Sequence, residues 1–178
     1  MEHTLSASAK LPPTSANVNG IWKTYKPLIL VAGFIIGITA LVEVKAPGLS
    51  VLRVMDNFMA GFFIFFSFFK FLNLKAFADA FATYDIIAKK SRAYAVAYPF
   101  IELALGVCFA LGVFTVAANI LTVLLMAIGS YGVWLVLKRK GTIQCACLGT
   151  IFNLPMTKIT LFENSVMMVM ALVALVFH

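Results

Sequence analysis

A chain of 178 residues that is 62% hydrophobic, only 12% charged and has a mean hydropathy of +1.00 lacks the polar surface a water-soluble globule needs. Its net charge of +7 would suit a nucleic-acid partner in a soluble protein, but here the basic residues fall between apolar runs. There they set orientation and meet anionic lipid headgroups, so soluble α/β enzymes and nucleic-acid binders are argued against, and the chain reads as an all-α integral membrane protein.

Residues 1–20 are small, polar and Pro-containing, with no apolar stretch behind a basic start, and read as a disordered tail rather than a signal peptide. Residues 21–178 read as one transmembrane domain. A first span of about 27–44 is extended by Trp22, Lys23, Tyr25 and Lys26 at headgroup level, and it carries Gly33 and Gly37 in a GxxxG spacing that permits close helix contact. Pro47 and Gly48 break the chain before a Phe-crowded second span of about 58–74, whose rings read as lipid-facing or packing surface. From Ala76 to Ala88, Phe77, Phe81, Tyr84 and Ala88 recur at helical spacing and predict an amphipathic helix at the interface, with Asp79 and Asp85 on its solvated face. Further spans are expected at about 93–113, 120–137 and 161–177, the first two forming an antiparallel hairpin across a short connection.

Orientation follows from the basic residues. One side of this five-span scheme collects Lys10, Lys23 and Lys26, then Lys70, Lys75, Lys89, Lys90 and Arg92, then Lys138, Arg139, Lys140 and Lys158, against Lys45 and Arg53 on the other. The N-terminus and both long basic loops are therefore expected in the cytoplasm, as in an integral protein of a bacterial inner membrane.

The segment richest in chemistry is Gly141-Thr-Ile-Gln-Cys-Ala-Cys-Leu-Gly-Thr150. Cys145 and Cys147 lie one residue apart beside Lys138, Arg139 and Lys140, which favour the thiolate, the nucleophile of disulfide exchange and a ligand for soft metals. Cys108 suits a small buried hydrophobe, and its depth in the third span keeps it from pairing with them unless their loop enters the membrane. With only His3 and His178, both near termini, a His-ligated zinc site or bis-His haem is not expected. Two thiolates with Met156 would suit Cu(I) or another soft ion; Met167, Met168 and Met170 read as packing in the last span. Lys70 and Glu102 are ionisable residues within spans that meet the same loop, and they are expected to pair, either as a register-fixing ion pair or as a polar site beneath the cysteines. No phosphate cradle, Ser–His–Asp set or paired catalytic carboxylates can be assembled.

The segment Phe58–Lys70, followed by Phe77–Ala88, Tyr98-Pro-Phe-Ile-Glu-Leu103 and Cys145-Ala-Cys-Leu-Gly149, resembles the MauE/DoxX family of redox-associated membrane proteins over roughly residues 50–178. The resemblance implies a DoxX-like four-helix transmembrane bundle, here with one extra N-terminal transmembrane helix. It also implies a role near thiol–disulfide chemistry, MauE being associated with maturation of the disulfide-rich small subunit of methylamine dehydrogenase. The Cys-Ala-Cys-Leu-Gly-Thr branch further resembles proteins joined to heavy-metal-associated domains, although residues 1–20 here contain no cysteine. The expected function is disulfide exchange through Cys145 and Cys147, supported by Lys70 and Glu102, with no cofactor required. A Cu(I) or heavy-metal component using Cys145, Cys147 and Met156 is the second reading, and an assembly scaffold the third. Implied partners are the lipid bilayer, a thioredoxin-like or metallochaperone protein, and a second copy of the chain. The charge map places the cysteines on the reducing side, in tension with disulfide maturation, which occurs outside the cytoplasm.

Overall fold

A computed structural model describes residues 18–138, 143–144, 155–156 and 158–177, with side chains for 26, 28–138 and 160–177. Six helices follow one another among these residues: α1 Val18–Lys45, α2 Val51–Leu72, α3 Leu74–Phe81, α4 Arg92–Leu111, α5 Thr115–Lys138 and α6 Lys158–Phe177. Five of them, all but the short α3, are long and apolar enough to cross a membrane. This is an all-α integral membrane protein, with large apolar side chains such as Leu30, Leu41, Leu111 and Val176 exposed around its girth. A two-residue ladder, β1 Ile143–Gln144 against β2 Pro155–Met156, pairs Ile143 with Met156 between α5 and α6.

Helix α2 lies along α4, α5 lies along α6, and contacts of α4 with α5 and of α2 with α6 close a four-helix ring; α1 rests outside, on α2. Ring contacts fix the α2–α4 register as antiparallel, Phe71 meeting Phe100 at one end while Phe63 stacks on Phe109 toward the other. The two helices approach closely because Gly106 has no side chain: a Cβ there would lie 2.8 Å from Ile64 Cγ1 and 3.0 Å from the Ile64 backbone nitrogen. The Phe-rich stripe divides by face. Phe63 and Phe66 are buried in the bundle, whereas Phe68 is exposed where lipid would be.

Several sequence boundaries need correction. The second span starts at Val51 rather than near 58, because the polar residues Arg53, Asp56 and Asn57 interrupt the apolar run without interrupting the helix. Arg53 is accommodated by a two-point ion pair with Glu43 of α1, Nε–Oε2 at 2.9 Å and Nη2–Oε1 at 2.6 Å. The last helix likewise starts earlier, at Lys158. The interfacial helix runs only from Leu74 to Phe81, opened by Asn73, whose side chain accepts from the Ala76 N–H at 3.1 Å. Beyond it, residues 82–91 are turns that fold back onto α5, where the Tyr84 carbonyl would lie 2.5 Å from a Cβ at Gly132. That fold buries Asp85, which sequence had put on a solvated face; Asp79 is exposed as expected and pairs with Arg92 at 2.8 Å. Gly33 and Gly37 make no close contact among the described residues, and α1 instead meets α2 where Ile35 packs over Gly61. The α4–α5 hairpin turns through only Gly112, Val113 and Phe114, Gly112 adopting the left-handed φ of +63° that ends α4.

Candidate functional site

Lys70 occupies the last turn of α2, and Glu102 projects from the middle of α4; the antiparallel register described above brings the two to one level. They form a salt bridge between Nζ and Oε2 with both side chains buried, at 6% and 4% exposure. An ammonium and a carboxylate at membrane depth are tolerated when they satisfy each other and face the bundle interior. Around the ammonium, the ring centroids of Tyr98 and Phe77 lie 5.1 and 5.3 Å from Nζ, within the range of cation–π attraction. Tyr98 also hydrogen-bonds to the Glu102 carboxylate through its hydroxyl. It can do so because it sits one helical turn before Glu102 on the same face of α4.

The pair lines an internal cavity of about 30 Å³, which Tyr84, Gly129, Thr160, Glu163 and Asn164 help to close. By the ~10–15 Å³ that one water requires, it has room for roughly two. Its wall thus carries one ammonium and two carboxylates, Glu102 and Glu163, among aromatic rings. Three of its residues, Thr160, Glu163 and Asn164, belong to the first turns of α6, immediately after the segment that carries the cysteines.

Of the residues singled out from sequence, the structure brings Lys70 and Glu102 together. Cys145 and Cys147 lie outside the described residues, as do His3, His178, Arg139 and Lys140. Met156 is placed by its backbone in β2. Lys138 ends α5 with its ammonium 4.6 Å from the Trp134 ring centroid. Cys108 is a half-buried free thiol packed against the core, and about 24 Å of helix rise separates it from the start of α4 at 1.5 Å per residue. Met167 is buried in the core and Met168 and Met170 pack beside it, a packing role. Among the described residues no group of three or more His, Cys, Asp or Glu could hold a metal ion. Lys70, counted from sequence among the loop charges, belongs instead to the bundle interior, and the asymmetry of the remaining basic residues survives its removal.

Sequence reasoning missed Tyr98, Glu163, Thr160 and Asn164. Tyr98 could have been found from its four-residue spacing to Glu102, and Glu163 from being the acidic residue of the last apolar run. Outside the spans, burial pushes the Asp85 carboxyl above its ordinary value, against the N–H groups of Ala88 and Ile87 that bond to it and the nearby charge of Lys89.

No curated protein and no solved structure matches this chain. One family model, that of methylamine utilisation protein MauE, matches residues 48–177. The match takes in α2 to α6 and with them the Lys70–Glu102 pair and the cysteine segment; the chain belongs to the MauE family.

Proposed function

We propose that this protein takes part in thiol–disulfide exchange in the membrane, with Cys145 and Cys147 as the exchanging pair and the Lys70–Glu102–Tyr98 cluster as the polar site that serves them. The observation that carries this reading is the buried, water-sized cavity at Lys70 and Glu102, walled by the first turns of the helix that follows the cysteine segment. A thiol must lose a proton before it attacks a disulfide, and ionisable groups held next to a water-sized cavity give that proton a place to go. Membership of a family described as methylamine utilisation proteins supports maturation of a partner in that process. The cysteine segment faces the cytoplasm in the charge-based orientation, so a thioredoxin-like partner on that side supplies or removes electrons.

A second reading, Cu(I) handling, draws on one observation: the ladder pairs the Met156 backbone with Ile143, which precedes Cys145 by two residues in sequence.

Labelling with an impermeant maleimide from each side of sealed vesicles, with and without reductant or Cu(I), tests both. Exchange requires labelling of Cys145 and Cys147 that rises after reduction, from the cytoplasmic side; protection by Cu(I) without reductant dependence would move the function to the metal. Full cellular function in a Cys145→Ser/Cys147→Ser chain would sink both readings and leave a scaffold.

A further inference from the structure

Two buried oxygens lie between the α3–α4 connection and the Lys70–Glu102 pair with nothing to bond. Asp85, 1% exposed, sits in the turns after α3; its Oδ1 accepts from the Ile87 and Ala88 N–H groups, and its Oδ2 is buried without a hydrogen-bond partner among the described residues. The hydroxyl of Tyr94, in the first turn of α4, is buried and unpartnered in the same way. Tyr94 lies within electrostatic reach of both Asp85 and Glu102. An unsatisfied buried oxygen is costly, and one water molecule between carboxylate and phenol satisfies both groups at once. Bulk water is close to Asp85, since Thr83 and Lys89 on either side of it are exposed. Lys89 is its nearest described charge, and α5 meets this turn at Gly132, backbone to backbone.

Helix α4 sets the remaining groups in a row. Tyr94, Tyr98 and Glu102 follow at four-residue spacing on one face, and the row climbs about 12 Å at 1.5 Å per residue. Side chains on a helix lean toward its N-terminus, so each phenol points back toward the turns that hold Asp85. The Tyr94 and Tyr98 rings meet edge to face with centroids 5.9 Å apart, and the Tyr98 hydroxyl bonds to the Glu102 carboxylate, which pairs with Lys70. Phe81 of α3 covers the row, its ring centroid 4.4 Å from that of Tyr98 and 6.1 Å from that of Tyr94. Oxygens in series under a roof of rings let a proton pass from group to group while bulk water stays out. In the other direction, the cavity shares Phe62, Phe66 and Glu163 with a space between α1, α2 and α6 whose remaining lining is apolar and offers a proton no further side-chain oxygen.

We infer that Asp85 and Tyr94 form the entrance of a proton path that connects water at the α3–α4 turns to the buried Lys70–Glu102 pair by way of Tyr98. A proton from water binds Asp85 Oδ2. As it passes through the bridging water to the Tyr94 oxygen, Tyr94 releases its own hydroxyl proton toward Tyr98, and Tyr98 releases its own to Glu102. At each oxygen along the way one O–H bond forms as another breaks, so both phenols end neutral, Asp85 is a carboxylate again, and Glu102 has gained the one proton that entered. Run backward, with the Lys70 ammonium handing a proton to Glu102, the same path exchanges ammonium protons for those of water. The inference stands apart from the thiol-exchange reading, because it concerns how protons reach the pair, whatever chemistry the pair serves.

The test follows the Lys70 ammonium in the full chain, labelled with heavy nitrogen at lysine Nζ and reconstituted in liposomes. Solid-state NMR reads the exchange of its protons with water, the Lys70 signal being the one lost in Lys70→Met/Glu102→Leu. Tyr94→Phe keeps the ring contacts and removes only the unpartnered hydroxyl, so it should leave the unfolding midpoint in place while slowing Lys70 exchange by about tenfold or more. Asp85→Asn should slow exchange by a similar factor, and azide, a small weak acid that can carry protons in place of the lost carboxyl, should restore the rate. A purely structural role of Asp85 would not respond to azide. Tyr131→Phe, on the exposed face of α5, should exchange like wild type. A wild-type rate in either Tyr94→Phe or Asp85→Asn overturns the proposal, and so does an Asp85→Asn chain that azide leaves slow.

Discussion

Helix α2 carries an ion pair near each end, and the two do different things. At its start, Arg53 meets Glu43 in two parallel bonds across the turn between α1 and α2, with the arginine side chain 36% exposed. Glu43 also accepts from the Ser50 N–H at 2.9 Å, so this pair caps α2 and staples one hairpin. At its end, Lys70 reaches Glu102 across 32 residues of sequence, both side chains buried beside a small cavity walled largely by aromatic rings. Charges near helix ends can reach the interface, whereas charges inside a bundle must be satisfied by their neighbours. The first pair is explained by the hairpin it closes. The second costs desolvation that an apolar pair would avoid, and a buried ion pair is weak evidence for stability. What distinguishes it is the small cavity it lines together with Thr160, Glu163 and Asn164 of α6, and a role for the pair in thiol exchange is the proposal that the variants below test.

That contrast can be broken most severely at Lys70. Lys70→Met strands the Glu102 carboxylate and is expected to destabilise the protein by about 3–5 kcal/mol in detergent thermal unfolding. The double variant Lys70→Met/Glu102→Leu should recover most of that loss yet leave reoxidation of the cysteine pair impaired. If the double variant instead keeps wild-type thiol reactivity, the pair is only packing. Glu43→Gln or Arg53→Gln should shift the unfolding midpoint by little more than the error of the melt, with an effect that shrinks as salt is added, since one partner is in contact with solvent.

The smallest effect is expected at Asp85, a buried carboxylate with no lysine or arginine bonded to it among the described hydrogen bonds. Because its carboxyl is pushed up in the folded protein, the folded state binds this proton more readily than the unfolded chain does. Its contribution therefore falls as pH rises from the ordinary carboxylate value through the raised one, and stays low above it. Asp85→Asn should abolish that decline, keep an oxygen for the Ile87 and Ala88 N–H groups, and change stability at neutral pH by less than about 1 kcal/mol. Melts of both chains between pH 4 and pH 8 would show it (a range of roughly this width covers a raised carboxylate). A wild type that instead gains stability as pH rises through this range would reverse the sign argued here.

The pairing of Lys70 with Glu102 was legible before any coordinates, since two ionisable residues in adjacent apolar runs have few alternatives to each other. Tyr98, one turn from Glu102, was legible in principle. Glu163 was legible as an acidic residue in an apolar run, but its place in the cavity was not, because nothing in its local sequence says that α6 turns that face toward α2 and α4. The same limit applies to Asp85: helical spacing continued to Ala88 and suggested a solvated side, but the helix stops at Phe81 and the following turns lie over Gly132.

Hydropathy alone established five membrane-crossing helices, the break at Pro47–Gly48 and the cysteine segment between the last two spans, because the cost of placing polar backbone or charge in hydrocarbon acts residue by residue along the chain. Tertiary structure decided which face of each helix turns inward, and that the Lys70–Glu102 cavity and an apolar space between α1, α2 and α6 share Phe62, Phe66 and Glu163 as wall. Those are properties of how helices pack side by side. Lipid is as apolar as the side chains, so hydrophobicity cannot distinguish a face that meets a neighbour from one that meets the bilayer, and only shape and polar partners settle the choice.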